Sequence, residues 1–458
     1  MIRKGNLAMR SLRRESTLQI GALALLVLLG TSIMIGLRQP GAARDSRASQ
    51  ERLSMAAEQR PPTTTADLIG QLQQRIRRVP NDVQGLALLG GAYVQRSRET
   101  GDPSYYSKAE AVLARANRLD PQDVETLIGL GTLALARHDF AGALALGEQA
   151  RAINPDVPRI YGVIGDAQIE LGRYDAAVET IQTMVDRRPD LSSYSRVSYV
   201  RELHGDLPGA TEAMQAAVAA GGPNAENTQW LRVQLGTLAF NQGDLATAEQ
   251  HYQRALTQLP GYVPATAGVA RVRAAQGRNK EAVTLYTTAT EQMPLPEYVI
   301  ALGDLYTRIG DTAQAQQQYQ LVQAMDALLT TNGVNTDLET ALFFADQSLD
   351  LDSSLTKAQA AYAAHPNIHA ADVLAWTLYK QGRYTDAQRY SAEALRLGTR
   401  DSLKLFHAGM IAKAAGQTEQ ARDYLQQALT LNPHFSLRYE QLAVATLNEL
   451  APRSEGRP

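Results

Sequence analysis

Residues 226–260 read ENTQWLRVQLGTLAFNQGDLATAEQHYQRALTQLP, and that stretch decides the fold. Trp230, Leu231, Val233, Leu235 and Leu238 recur at the spacing of one helix face. Gly243 breaks the pattern, and a second helix is expected from about Ala246 to Leu259. Pro260 ends it, because the residue before a proline is pushed out of the α region. One such helical hairpin cannot bury its own apolar faces. It needs a copy of itself on each side.

Copies are present. Pro121, Pro155, Pro189 and Pro223 stand 34 residues apart, and Pro260 and Pro294 follow at steps of 37 and 34. Counted from this lattice, with a slip of one residue allowed, one position holds Ala109, Ala143, Ala177, Ala210, Ala248, Ala282, Ala315, Ala387 and Ala421. Another holds Gly90, Gly131, Gly165, Gly236, Gly303 and Gly409. Small residues at fixed places let helix backbones approach, and a larger side chain there would overpack at roughly 1–3 kcal/mol. A further glycine set, from Gly172 through Gly243 to Gly416, falls where the first helix of each pair must stop. A left-handed helix cap suits glycine there.

The order Leu235-Gly236, Ala248, Tyr252, Ala255 and Pro260, echoed by Leu302-Gly303, Tyr306, Ala315 and Tyr319, resembles the tetratricopeptide repeat (TPR) family. The resemblance covers about residues 65–450. It implies an all-α TPR α-solenoid, a right-handed superhelix of about ten helical hairpins. It also implies that first helices line a concave face whose variable positions meet a ligand. Carried onto this chain, those positions are Arg159, Asp166, Tyr199, Glu202, Trp230, Phe240, Asn241, Arg271, Asp304, Arg308, Asp372, Trp376, Lys380, Phe406 and Lys413. Aromatics mixed with both charge signs suit a protein or peptide segment. The family implies a binding scaffold and no enzyme. The cluster of Lys, Asn and Arg with which some TPR grooves clamp a C-terminal carboxylate is not seen, which disfavours that ligand class.

Composition fits a long helical core: 458 residues, 44% hydrophobic and 20% charged, with a formal net charge of −2. A pI near 6.4 argues against nucleic acid as a partner. The absence of cysteine excludes disulfides, thiolate metal sites and cysteine catalysis. No G-x-S-x-G elbow, phosphate-binding loop with lysine or H-E-x-x-H occurs, so no catalytic set is expected. Residues 129–134 match G-x-G-x-x-A, but that fingerprint works only between a strand and a helix N-terminus, and here it falls inside an expected helix. No cofactor follows. His365 and His369 are four apart, yet Pro366 between them ends a helix, so they should not share a face or hold a metal.

Towards the N-terminus the pattern changes. Residues 1–16 form a basic tail with Arg3, Lys4, Arg10, Arg13 and Arg14 against Glu15. Residues 18–37 contain no charge over 20 positions, enough for a helix of about 30 Å across one hydrocarbon core. The expectation for 17–37 is therefore one transmembrane helix, with a cytoplasmic N-terminus and an extracytoplasmic repeat array. A cleaved signal sequence is the rival, with Gly41-Ala42-Ala43 as the cleavage site. An anchored scaffold and a secreted or anchored accessory of cell-envelope biogenesis or export are the two functional readings. Residues 38–64 read as a flexible linker and 451–458 as a frayed tail.

Within the array three details stand out. A single helix, 66–78, should open it, and residues 96–104 read as a loop insertion beside Tyr105 and Tyr106. Residues 311–332 read as an unusually long second helix, and the next pair lacks its turn glycine, which suggests a bend near 311–366. The last helix should run from about 436 to 450.

Overall fold

The computed structural model describes residues 64–222 and 226–451, and every element in them is helical. The expected membrane helix, basic tail and most of the linker lie outside the described residues, as does most of the C-terminal tail. Among the described residues no helix is long and apolar enough to cross a membrane.

A lone helix, α1 (Thr65–Arg78), opens the stack. Thr64 caps it, accepting from Asp67 N while the Asp67 carboxylate accepts from Thr64 N. Ten hairpins follow. The first five are α2 (Val83–Thr100) with α3 (Ser104–Leu119), α4 (Val124–Ala136) with α5 (Phe140–Ile153), α6 (Pro158–Glu170) with α7 (Tyr174–Arg187), α8 (Leu191–Leu203) with α9 (Leu207–Ala220), and α10 (Glu226–Asn241) with α11 (Leu245–Gln258). The rest are α12 (Val263–Ala275) with α13 (Asn279–Gln292), α14 (Pro296–Arg308) with α15 (Thr312–Thr331), α16 (Asp337–Gln347) with α17 (Leu351–Ala364), α18 (Ile368–Lys380) with α19 (Tyr384–Ala394), and α20 (Ser402–Ala414) with α21 (Thr418–Leu431). A closing helix, α22 (Glu440–Glu449), ends the stack.

The small-residue register is the glue of the solenoid. Eight of the nine lattice alanines are 0% exposed and Ala315 is 3% exposed. At Gly236 a Cβ would stand 2.4 Å from Cε1 of Tyr252, so the tyrosine ring fills the space a side chain would need. Turns follow one recipe. Gly243 takes φ of 78°, and Asp244 after it accepts from Thr247 N at 3.0 Å, starting α11. His138 and Ser348 hold the same left-handed position in hairpins two and eight, at φ of 60° and 51°.

Two expectations need correction. Residues 96–100 are not loop: α2 runs on to Thr100 and stops at Gly101, whose φ of 71° caps it. The extra turn is held because Arg98 pairs with Glu226 of α10. The closing helix starts at Glu440 and not at 436, since Arg438 and Tyr439 are drawn sideways into other contacts.

The stack also meets itself. Asn335 N donates to Arg137 O at 3.0 Å, and His138 Nδ1 lies 2.7 Å from Asn335 O, which makes that nitrogen the donor. Asn367 Nδ2 donates to Glu170 O at 2.8 Å, and Ile368 N to Tyr174 Oη at 2.9 Å. Thr399 Oγ1 donates to Leu203 O at 2.6 Å, and Asn432 Nδ2 to Phe240 O at 3.0 Å. Gly101 sits against Met293 and Leu295 in the same manner. These partners are 192 to 197 residues apart wherever a side chain makes the bond. Each contact joins the turn inside one hairpin to the loop that enters the hairpin about six places later. About six hairpins therefore complete a superhelical turn, and the second turn rests on the first along a continuous seam.

One joint is looser than the others. Among the described residues, α15 and α16 are the only consecutive helices whose backbones do not pack closely. Large side chains bridge the gap instead: Val299, Val322 and Phe343, with Tyr319, Met325 and Phe344 around them.

Candidate inner-surface binding site

Successive first helices are joined by a ladder of polar pairs. Each rung links one first helix to the next. Gln84 donates to Asp123 at 2.6 Å, and Arg159 pairs with Glu125. Arg196 grips Asp166 with Nε at 2.8 Å and Nη2 at 2.6 Å. Trp376 Nε1 donates to Asp346 at 2.8 Å, and His407 Nδ1 stands 3.1 Å from Asp372. Repeats of one length place successive first helices side by side, so a side chain of one reaches the matching level of its neighbour.

Burial sorts the expected ligand positions into two groups. Arg159, Tyr199, Glu202, Trp230, Arg271, Asp304, Arg308, Lys380 and Lys413 are partly open. Arg98 lies over the Trp230 ring at 5.8 Å, and Tyr199 Oη lies 3.4 Å from His369 Nε2. Asp166, Phe240, Asn241, Asp372, Trp376 and Phe406 are buried. Phe240 is covered by the Arg271 guanidinium at 3.9 Å. Trp376 is 1% exposed, stacked on His407 at 4.1 Å and met edge-on by Tyr439 at 5.5 Å. Phe406 is 0% exposed and stacks on Tyr439 at 4.9 Å. What these rings supply in this arrangement is packing. Lys413 reaches outward along the stack to Glu449 at 2.6 Å.

Where the second turn meets the first, ionisable groups crowd together. Glu170 is pushed up to about 8 by burial, reinforced by the charges of Asp166 and Glu339 and opposed by a hydrogen bond from Tyr199. Burial and the Asp401 carboxylate push Glu202 up to about 7, against Lys404 and Asn241. His369 is pushed down to about 3 by burial, with Lys404 adding to it. Burial alone would lower the Lys404 ammonium, but Asp401, 2.5 Å away, and Asp372 outweigh it and hold the group above the usual lysine range. A buried charge without such a partner would cost several kcal/mol.

Sequence reasoning missed Arg98, Glu226, Arg196, Lys404 and the run 438–440. Arg196 and Lys404 lie on expected first helices, but with no length signal to mark a buried pair. Residues 438–440 fall in the expected closing helix, 436–450, where nothing marks them for contacts with hairpins seven and eight. His365 caps α17 and His369 lies in α18, so they belong to different helices. Residues 129–134 lie within α4, with no β-strand among the described residues.

Comparison with known families agrees with this architecture. Four family models, each described as tetratricopeptide repeat, match residues 134–198 and 239–301, 368–400, 405–435, and 105–158 and 204–263. Together they cover more than half of the chain. Among solved structures, the human IFIT1 dimer with PPP-AAAA is 13% identical, with 85% of this chain and 95% of that one covered, at a TM-score of 0.45. The Cut9–Hcn1 hetero-tetramer of the APC/C is 15% identical over 85% and 84%, at 0.37. A tetratricopeptide repeat protein of Parabacteroides merdae is 18% identical over 57% and 98%, at 0.33. Likenesses at this level carry no argument about ligands.

Proposed function

The chain belongs to the tetratricopeptide repeat family, and from that premise we propose that it is a membrane-tethered scaffold that holds a protein or peptide partner on the inner surface of its superhelix. The observation that supports this reading is the set of partly open first-helix side chains, Arg159, Tyr199, Trp230 and Arg271, on the helices that carry the polar ladder. An aromatic with a guanidinium over it, as at Trp230 and Arg98, is the pairing that dominates protein interfaces.

Tethering rests on the uncharged run 18–37 and the basic residues before it. A cytoplasmic N-terminus then puts the repeat array on the far side of the membrane.

Site-specific photocrosslinking in cells tests the scaffold. A probe at Trp230 should trap one discrete partner, and a probe at Gln253, exposed on α11, should not. Equal adducts from both positions, or none from Trp230, would remove the inner surface from the account. Carbonate extraction of the full chain tests the tether. The wild-type chain should stay with the membrane, and Leu26→Arg with Leu28→Arg should release it, since each central arginine costs about 2.5–3.5 kcal/mol.

A further inference from the structure

We propose that the first-helix surface of hairpins seven to ten is a docking groove for a protein segment that presents a basic, an aromatic and an acidic side chain in succession, and that residues 438–440 occupy this groove in cis. The inference rests on the scaffold reading above and adds the chemistry of the partner.

Three consecutive residues of the chain already show what the groove accepts. Arg438 donates through Nη2 to Asp304 at 2.6 Å and to Tyr319 Oη at 2.9 Å, and through Nη1 to Asp346 O at 3.3 Å. Tyr439 donates its hydroxyl to the Asp346 carboxylate at 2.8 Å while its ring lies between Phe406 and Trp376, with the Lys380 ammonium 5.9 Å from it. Glu440 pairs with Arg308. Asp304, Arg308, Trp376 and Lys380 are the positions at which a ligand is expected on first helices. They are engaged, and their occupant is the chain itself.

Two features mark this occupant as exchangeable. The side chains fit incompletely: Arg308 Nη1 and Arg438 Nε are both shielded from water and have no hydrogen-bond acceptor. A buried donor without a partner costs about 1–3 kcal/mol. A ligand whose acid meets Arg308 with both oxygens would satisfy a group that Glu440 leaves unmet. The site also spans the loosest joint of the stack. Arg438 ties Asp304 and Tyr319 of hairpin seven to Asp346 of hairpin eight, across the gap between α15 and α16. A segment that replaced Arg438 would splint the same gap, so displacement need not unravel the solenoid.

Occupation in cis masks the groove by mass action. A tethered segment competes at an effective concentration on the order of mM, which lowers the apparent affinity of any rival. The probe is a fluorescein-labelled peptide with the sequence of residues 436–441, SLRYEQ, read by anisotropy on the full chain. Arg438→Ala with Glu440→Ala should free the groove and bind the peptide at least about tenfold more tightly than the wild type. Adding Asp304→Asn and Arg308→Ala should abolish that gain, and a scrambled peptide should not bind. Hydrogen exchange confirms release of 432–440 in the double variant. Release without tighter binding overturns the proposal, as does equal binding of the scrambled peptide. Should the double variant lose its helicity, the wild-type chain decides: about 1 mM SLRYEQ must speed exchange at 432–440, and no change overturns the proposal. Crosslinking at Trp230 reports the scaffold reading separately, so a partner trapped there with no peptide binding here removes only this inference.

Discussion

Asn432 donates its side-chain amide to the carbonyl of Phe240 across 3.0 Å, although 192 residues separate the two in sequence. Phe240 lies in the last turn of α10, where carbonyls lose their i+4 partners, and its carbonyl also accepts from the turn N–H of Gly243 at 2.9 Å. Asn367 does the same for Glu170 at the end of α6, and Thr399 for Leu203 at the end of α8. Asn335 does so for Arg137, after α4, through its backbone N–H. The seam between the two superhelical turns is thus a row of helix C-caps supplied from one turn later. Backbone groups that would need water in an open solenoid are satisfied by closure, which ties the compactness of the superhelix to its hydrogen-bond accounting.

Removing one cap should loosen the seam locally. Asn432→Ala removes one of two donors to the Phe240 carbonyl, which keeps Gly243 N at 2.9 Å, and takes the acceptor of His434 N, so it is expected to cost about 0.5–1.5 kcal/mol. Asn367→Ala should cost more, because Asn367 also accepts from His369 N and Ala370 N as the N-cap of α18, a contribution of about 1 kcal/mol. Urea denaturation gives the loss, and hydrogen exchange gives its place: α20 to α22 should open for Asn432→Ala while α4 and α5 stay protected. Uniform opening would mean that the seam is not a separable unit.

Two glycine substitutions should act in opposite directions. Gly236→Ala brings a Cβ to 2.4 Å from the Tyr252 ring inside the hairpin contact, and is expected to cost about 1–3 kcal/mol. Gly70→Ala in α1 meets nothing within 4 Å and replaces a poor helix former with the best one, so it should stabilise by about 0.5–1 kcal/mol. Ala248→Leu, in the same register as the buried alanines, belongs with Gly236→Ala. Thermal melts of the three variants check the register, and a rise for Ala248→Leu would contradict it.

The alternation of helices, the turn glycines and the buried alanines were legible because each follows from spacing alone. The bounds of α15, Thr312–Thr331, match the long second helix expected there. The seam was not legible. Its partners, such as Asn367 and Glu170, are ordinary polar residues near turns, and only the number of hairpins per superhelical turn brings them together. The same blindness hid the occupant of the groove. Trp376 was read correctly as a first-helix residue, but nothing in its neighbourhood in sequence says that Tyr439 and Phe435 will cover that face.

That difference predicts unequal roles for the two tryptophans. Trp376 is enclosed on all sides, so Trp376→Ala should destabilise the C-terminal hairpins by about 3–5 kcal/mol and leave the Asp346 carboxylate with the Tyr439 hydroxyl but without the indole donor. Trp230 is partly open, and Trp230→Ala should change partner capture more than melting. Differential scanning calorimetry separates the cases. Matching losses of stability in both variants would argue that Trp230 is also a core residue.

Stability should respond to pH through Glu170. Its carboxyl is pushed up to about 8 by burial first and by Asp166 and Glu339 second, against an ordinary value of 4.5. Between those two values an unfolded chain has lost this proton and the folded chain still holds it, so stability falls as pH rises through the window. Below 4.5 both states are protonated and the loss is absent. Glu170→Gln keeps the shape without the charge, so its melting temperature should exceed that of the wild type by a margin that grows towards pH 8. His369, pushed down to about 3, loses stability in the other direction as pH falls below 6.5, but it is common to both chains and cancels in the difference. Glu339→Gln distinguishes the causes. It removes one of the two neighbouring charges and leaves the enclosure of Glu170 in place, so most of the margin should survive in that background. A margin that vanished there would reverse the order of the two causes and make Glu170 a reporter of its acidic neighbours, not of the closed seam.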